Sequence, residues 1–223
     1  MILTLPSAFA QQGAWQVRHR HLRNGAAGTL RATPDSLSFE ELDKKGHPTA
    51  HSRQWKYADI QLLTLGTRTL RLRTYEDQRW ELGRDREFVF DQLPAGLVTE
   101  LYIAWRDHLD TRFVAALADT QLAHPDWQIA AKLLHGRSGS QGVIRFGADR
   151  IVYQTEQGEE SRTWRVTDKE NDIENVSTSG PFDLTINTHE GEFRFQLKET
   201  LPEDRYNRLW RQVSRVGGLQ PGQ

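Results

Sequence analysis

The chain has 223 residues with 29 basic and 30 acidic side chains, a formal net charge of −1, which leaves no broad positive field for nucleic acid or an anionic membrane. Its 37% hydrophobic content, seven Trp and nine Phe supply enough apolar surface for a core and argue against wholesale disorder. With no cysteine, disulfides, thiolate catalysis and cysteine-ligated zinc are excluded.

Residues 1–12 precede any periodic pattern. Ile2 to Ala10 is short and apolar, ends in Ala8-Phe9-Ala10 and is followed by Gln11-Gln12. Two readings stand. As the tail of a secretory signal peptide the segment implies export, to a periplasm or beyond. As an ordinary flexible N-terminus it leaves the protein cytoplasmic. No other segment approaches the ~20 apolar residues of a membrane-spanning helix.

From residue 13 onward the chain reads as one unit written twice. Residues 28–39 match residues 142–153 without a gap: Gly28, Arg31, Asp35, Leu37 and Phe39 fall on Gly142, Arg145, Asp149, Ile151 and Tyr153. Each run is two alternating strands about a turn. Ser52-Arg53-Gln54-Trp55 then matches Ser161-Arg162-Thr163-Trp164, and Asp59-Ile60 matches Asp172-Ile173. In both, the aspartate is expected at a strand start, bonded to backbone amides. Leu70 to Thr74 matches Leu184 to Thr188, and Phe88-Val89-Phe90 matches Phe193-Arg194-Phe195. Trp15-Gln16-Val17 resembles Trp127-Gln128-Ile129 at the entry. The period of two in these runs is that of a sheet with one face in a core and one in water. His189-Glu190-Gly191-Glu192 reads as a tight hairpin turn with Gly191 at positive φ.

Each copy closes on a change of period. Pro94 opens a helix carrying Leu97, Leu101 and Trp105, and Pro202 opens one carrying Tyr206, Leu209, Trp210 and Val213. The first helix is expected to run on through Arg112–Ala118 as a connector, with Phe113 and Leu117 buried against one copy or the other. The expected organisation is therefore an N-terminal segment 1–12, a first domain 13–118 with an extended helix, a linker 119–126 containing Pro125, a second domain 127–216 and a tail 217–223.

About seven antiparallel strands followed by a helix with a core-facing Trp resemble the pleckstrin-homology-like superfold, closer to its bacterial and GRAM-type branch than to eukaryotic signalling domains. The resemblance covers most of residues 13–216. It implies a mainly β protein of two tandem split barrels, each plugged by its C-terminal helix, with Trp105 and Trp210 as the plugs. It also implies binding or scaffolding rather than catalysis, although fold alone does not give function.

Candidate sites fall where the copies differ. Arg18, Arg20, Arg23, Arg31, Arg68, Arg71 and Arg73 enrich the first copy in guanidinium groups suited to phosphate or carboxylate. The alternative is a solvated face balanced by Glu40, Glu41, Asp43, Glu76 and Asp77. Lys132, Arg137 and Arg145 form a thinner set in the second copy. Thirteen residues separate Thr74 from Phe88 against four between Thr188 and Phe193, and the insertion holds Trp80, Gly83, Arg84, Asp85 and Arg86. It is either an interaction loop bearing Trp80 or a longer hairpin. The binding surface read from the sequence is thus Arg18, Arg20, Arg23, Arg71, Arg73, Trp80 and Arg84. His19 and His21, two apart on a strand, share a face and are weak candidates for one metal, with His47 and His51 as further ligands. Trp55 and Trp164, being matched, are expected in the core. Gly136-Arg137-Ser138-Gly139-Ser140 narrowly misses a nucleophile elbow and reads as a flexible loop.

Three classes of function follow. The first is a non-catalytic module for a protein, peptide or lipid surface, with no cofactor and no nucleic acid. The second is a metal-dependent or hydrolytic protein using the His19/His21 region. The third is a structural protein self-associating through strand edges.

Overall fold

Alternating apolar and polar side chains become strands along most of the chain. The computed structural model describes residues 13–20, 25–78, 81–122, 124–135 and 138–217. The first half holds β1 (Ala14–His19), β2 (Ala26–Ala32), β3 (Ser36–Glu40), β4 (Arg53–Lys56), β5 (Ile60–Gly66), β6 (Leu70–Gln78), β7 (Glu81–Asp91) and α1 (Ala95–Arg106). These strands pair antiparallel in the order β5-β6-β7-β1-β2-β3-β4, the last strand returning to lie beside the first. The second half holds β8 (Phe113–Ala116), β9 (Trp127–His135), β10 (Ser138–Phe146), β11 (Arg150–Thr155), β12 (Arg162–Arg165), β13 (Ile173–Ser177), β14 (Asp183–Thr188), β15 (Gly191–Leu197) and α2 (Glu203–Gly217). Its order, β13-β14-β15-β9-β10-β11-β12, repeats the first, with β8 added beside β12. The protein is mainly β, and it divides into two units, Met1–Phe113 and Val114–Gln223. No helix among the described residues is long and apolar enough to cross a membrane.

The repeat extends to hydrogen-bond register. Gly28 faces Val17 as Gly142 faces Ala131, and Leu37 faces Trp55 as Ile151 faces Trp164. Ile60 faces Thr74 as Ile173 faces Thr188. Leu70 and His19 both face Phe90, as Leu184 and Leu133 both face Phe195. One sequence match is corrected by this register. Trp15 stands opposite Leu30 and Ile129 opposite Ile144, so Trp15 corresponds to Ile129. Trp127 lies two residues earlier and stacks on Phe146 at 3.6 Å.

The Ser-Arg-x-Trp runs do the same work in both units. Ser52 Oγ donates to the Glu41 carbonyl and accepts the Glu41 amide, and Ser161 Oγ does so with Thr155. Arg53 lies over the Phe88 ring and Arg162 over Phe193, each at 5.5 Å. Such cation–π contacts contribute about 0.5–1 kcal/mol at exposed sites. Trp55 meets Phe88 at 4.8 Å and Phe90 at 6.2 Å, while Trp164 meets Phe193 at 5.1 Å and Phe195 at 6.4 Å, all edge to face. Both indoles are core residues, as expected, and both bury Nε1 with no hydrogen-bond partner among the described residues. Gly28 and Gly142 are fixed by the close approach of the neighbouring strand. A Cβ would stand 2.5 Å from Phe39 Cζ at the first and 2.8 Å from Tyr153 Cε2 at the second. It would also stand 2.6 Å from the Glu40 carbonyl oxygen at the first and 2.2 Å from the Gln154 carbonyl oxygen at the second.

The two closing helices differ. Trp105 is fully buried on α1, meets Phe113 edge to face at 5.9 Å, and donates its Nε1–H to Tyr57 Oη at 2.9 Å. Tyr57 donates its own O–H to the Thr33 carbonyl at 3.1 Å. On α2 the buried residues are Leu209 and Val213, and Trp210 is 51% exposed. The expectation of a second tryptophan plug is therefore wrong. Leu209 and Val213, four apart, define the inward stripe, and Trp210 sits at its margin.

Burial pushes the Tyr57 hydroxyl up from the ordinary 10 to about 12, with the Trp105 donor pulling it down and Asp35 pushing it up. The folded state thus holds this proton where the unfolded chain releases it. Its contribution to stability is whole below pH ~10 and is lost as pH rises towards 12. Tyr57→Phe should remove that part of the alkaline loss. Denaturant titrations across this range test it, and parallel decline of variant and wild type would defeat the assignment.

The connector also departs from expectation. α1 ends at Arg106, and the run expected to prolong it forms β8. Phe113 and Val114 are aromatic and β-branched, and all four β8 residues are buried, so the short apolar run is a strand covered on both faces. The expected linker is anchored rather than loose at its start. Asp119 is buried, ion-pairs with Arg150, and donates its backbone N–H to Thr163 Oγ1 at 2.9 Å. Thr163 Oγ1 in turn donates to the Leu117 carbonyl at 2.8 Å. The unit boundary accordingly falls between Phe113 and Val114.

Candidate functional site

Strand alternation and register gather four of the sequence-derived arginines on one outer face of the first unit. Arg71 and Arg73 alternate on β6 with buried Leu70, Leu72 and Thr74, so they project outward. Arg73 stands opposite Glu87 and Arg71 opposite Val89 on β7. Arg18 stands opposite Asp91, and Arg20 follows β1 with its amide on the Val89 carbonyl at 2.7 Å. The four residues therefore surround Val89 on one outward face, where Arg71 and Arg73 share Glu87 and Arg20 pairs with Asp91. The pairings are loose: Arg71–Glu87 is 3.9 Å, Arg73–Glu87 4.0 Å and Arg20–Asp91 3.4 Å. Exposed pairs of this kind contribute about 0–1 kcal/mol and leave the cations able to change partner.

Three other arginines of the first unit are committed. Arg31 is tied to Glu40 at 2.8 Å. Arg53 and Arg86 share Glu76, and both cover Phe88, with Arg86 at 4.9 Å. The insertion is a longer hairpin in which β6 reaches Gln78 and β7 starts at Glu81. Arg84 lies exposed on β7. Arg23, Trp80 and Arg137 lie outside the described residues.

The described histidines do not gather as a metal site. His19 is on the inward face of β1, enclosed by Phe90, Phe39 and Phe88 at 5.0, 5.4 and 5.8 Å. The rule that places i and i+2 on one face here places His19 on the core face. His21 lies outside the described residues. His47 and His51 are exposed, and His47 Nδ1 is 3.7 Å from Asp43. The His47 and Lys45 amides hold the Asp43 carboxyl below its usual range. Among the described residues, no group of three His, Asp or Glu is placed to hold a metal.

The near-elbow is a strand at Ser138–Ser140, not a flexible loop. Ser140 is buried in β10, where its carbonyl accepts the Tyr153 hydroxyl at 2.7 Å and its Oγ lies 3.0 Å from the same oxygen. By register Ser140 corresponds to Ala26 and Tyr153 to Phe39. The polar pair fills the place of an apolar one.

The matched aspartates diverge. Asp172 is buried, accepts the Arg165 amide at 2.8 Å, and grips the Arg165 guanidinium through Nε at 3.0 Å and Nη2 at 2.8 Å. Asp59 is exposed in the turn before β5 and makes no hydrogen bond among the described residues. The expectation of amide bonding therefore holds for the second unit alone.

A feature the sequence did not disclose lies on the second unit. The outer face of β9, β10 and β11 forms a concavity of about 800 Å³ lined by Ala130, Gln141, Val143, Arg145, Gln154 and Lys198, among others. Arg145 is bonded to the Gln154 carboxamide oxygen, and Lys198 Nζ to Gln141 Oε1 at 2.6 Å.

No known protein family matches the chain, and no curated protein does. Among solved structures, the C-terminal domain of an unknown protein from Leishmania infantum aligns with 42% of this chain and 89% of its own length. Identity is 14% and the TM-score 0.33, too distant to bear on fold or function.

Proposed function

We propose that the chain is a non-catalytic binding or scaffolding module made of two pleckstrin-homology-like units, engaging a protein, peptide or lipid surface through outward sheet faces. One observation carries the reading: the units share their interior register for register and differ in outward charge. The seven-strand antiparallel order closed by β7 on β1 and followed by a helix supports the fold assignment. The exposed Trp210 departs from it, with Leu209 and Val213 taking the inward place on α2.

The surface with most to offer an acidic partner is the face bearing Arg18, Arg20, Arg71 and Arg73. Removing two of its charges in the double variant Arg71→Ala/Arg73→Ala should weaken binding to acidic peptides or anionic vesicles by about thirtyfold, taking ~1 kcal/mol per cation near an anionic surface. Surface plasmon resonance at two salt concentrations reads this out. Equal retention of wild type and variant on acidic and neutral surfaces would refute the assignment of this face.

A further inference from the structure

The second unit carries its own internal control for charge. By register Arg145 corresponds to Arg31, since each stands in β10 or β2 opposite the matched residues Gln128 and Ala14. In the first unit Arg31 is neutralised by Glu40 at 2.8 Å. In the second, Gln154 takes the place of Glu40, and Arg145 bonds an uncharged carboxamide instead. The same exchange occurs on the neighbouring strand. Asp91, opposite Arg18, is replaced by Gln196, opposite Lys132. Two carboxylates that temper the first face have become amides on the second, while its cations remain.

These changes converge on the concavity. Arg145 and Lys198 both line it, and neither makes an ion pair among the described residues. Arg145 uses one donor nitrogen on Gln154, leaving Nε and Nη2 without a protein acceptor among those residues. Lys198 spends one donor on Gln141. Both amides accept through oxygen, which turns their N–H₂ groups into further donors. Ala130 and Val143 add short apolar side chains to the lining, and Glu156 is the one carboxylate among the described lining residues.

We infer that this groove on β9–β11 binds a phosphate-bearing anion, held by the Arg145 guanidinium and the Lys198 ammonium with the Gln141 and Gln154 amides as neutral donors. A guanidinium fork with a free edge beside a point-charge ammonium suits a tetrahedral oxyanion, and the absence of aromatic side chains from the lining disfavours a base or sugar ring as the main contact. The site is separate from the arginine face of the first unit, so either can fail without the other.

The test uses the full chain, with pyrophosphate followed by calorimetry at near-physiological salt and phosphatidic acid vesicles followed by co-sedimentation. Gln154→Glu restores the carboxylate that the first unit already accommodates at this register, so it should fold normally. It should weaken pyrophosphate binding by about tenfold or more, as expected when a charged hydrogen-bond donor is pre-empted. Lys198→Ala, at an exposed position, should weaken it as well. Pyrophosphate binding without vesicle binding identifies a soluble phosphate compound as the natural source. Vesicle binding displaced by pyrophosphate identifies a lipid headgroup. Wild type that binds neither, or binding unchanged in both variants, overturns the inference.

Discussion

Replacing Asp172 with alanine is expected to remove about 3–5 kcal/mol from the stability of the second unit, because it strands a buried guanidinium. Arg165 is only 8% exposed, and Asp172 meets its backbone amide and two of its side-chain nitrogens. Without the carboxylate, the charge must be carried in the interior or dragged into water with local unfolding. Asp59→Ala, at the matched position of the first unit, should cost within ~0.5 kcal/mol, since that carboxylate is exposed. Urea unfolding of the two variants checks the contrast. Equal losses would mean that the ion pair is not what holds the turn between β12 and β13. Replacing both Arg165 and Asp172 with well-packed apolar residues should recover much of the loss, because desolvating a pair costs nearly what the pair returns.

Trp105→Ala should cost about 3–5 kcal/mol, the range for deleting a large buried aromatic. The indole is wholly enclosed, and its removal also leaves the Tyr57 hydroxyl oxygen without its donor. Trp210→Ala, by contrast, should move stability by less than ~0.5 kcal/mol, as for other surface substitutions. Thermal and denaturant melts of both variants decide the matter. A large loss at Trp210 would mean that the helix packs through that residue after all. The contrast separates two residues that look equivalent when the copies are aligned.

The strands and the repeat were legible because period-two alternation and matched glycines are local signals. Gly28 and Gly142 align for a physical reason, the backbone and ring of the next strand that leave no room for a Cβ. Helix starts at Pro94 and Pro202 were legible for the same local reason. Phe113–Ala116 was misread because a short apolar run has no period to distinguish a doubly buried strand from a helix segment. Trp210 was misread because Tyr206, Leu209, Trp210 and Val213 form a wide apolar arc, and only packing decides which part of it faces inward. Trp15 and Trp127 were matched by identity, whereas hydrogen bonding sets the correspondence two residues away. His19 was placed on a strand, as found, but alternation does not say which face is the core. The charge difference between the outer faces was the least legible feature. Which carboxylate opposes which cation is a property of register, and the matched runs stopped at Phe39 and Tyr153, one residue before Glu40 and Gln154.

The identity of register in the two units has a kinetic consequence. A refolding chain is expected to hold a second, similar partner for some strands: β12 repeats the Arg-x-Trp that β4 presents to β3. Tethering keeps both partners at high local concentration, so mispaired, strand-exchanged intermediates compete with the native pairing, as in other multidomain chains with similar neighbours. The features that break the equivalence then act as sorting devices. The elongated β6–β7 hairpin, the buried Arg165–Asp172 pair and the Ser140–Tyr153 bond each fit one unit and not the other, and each penalises a strand that has joined the wrong partner.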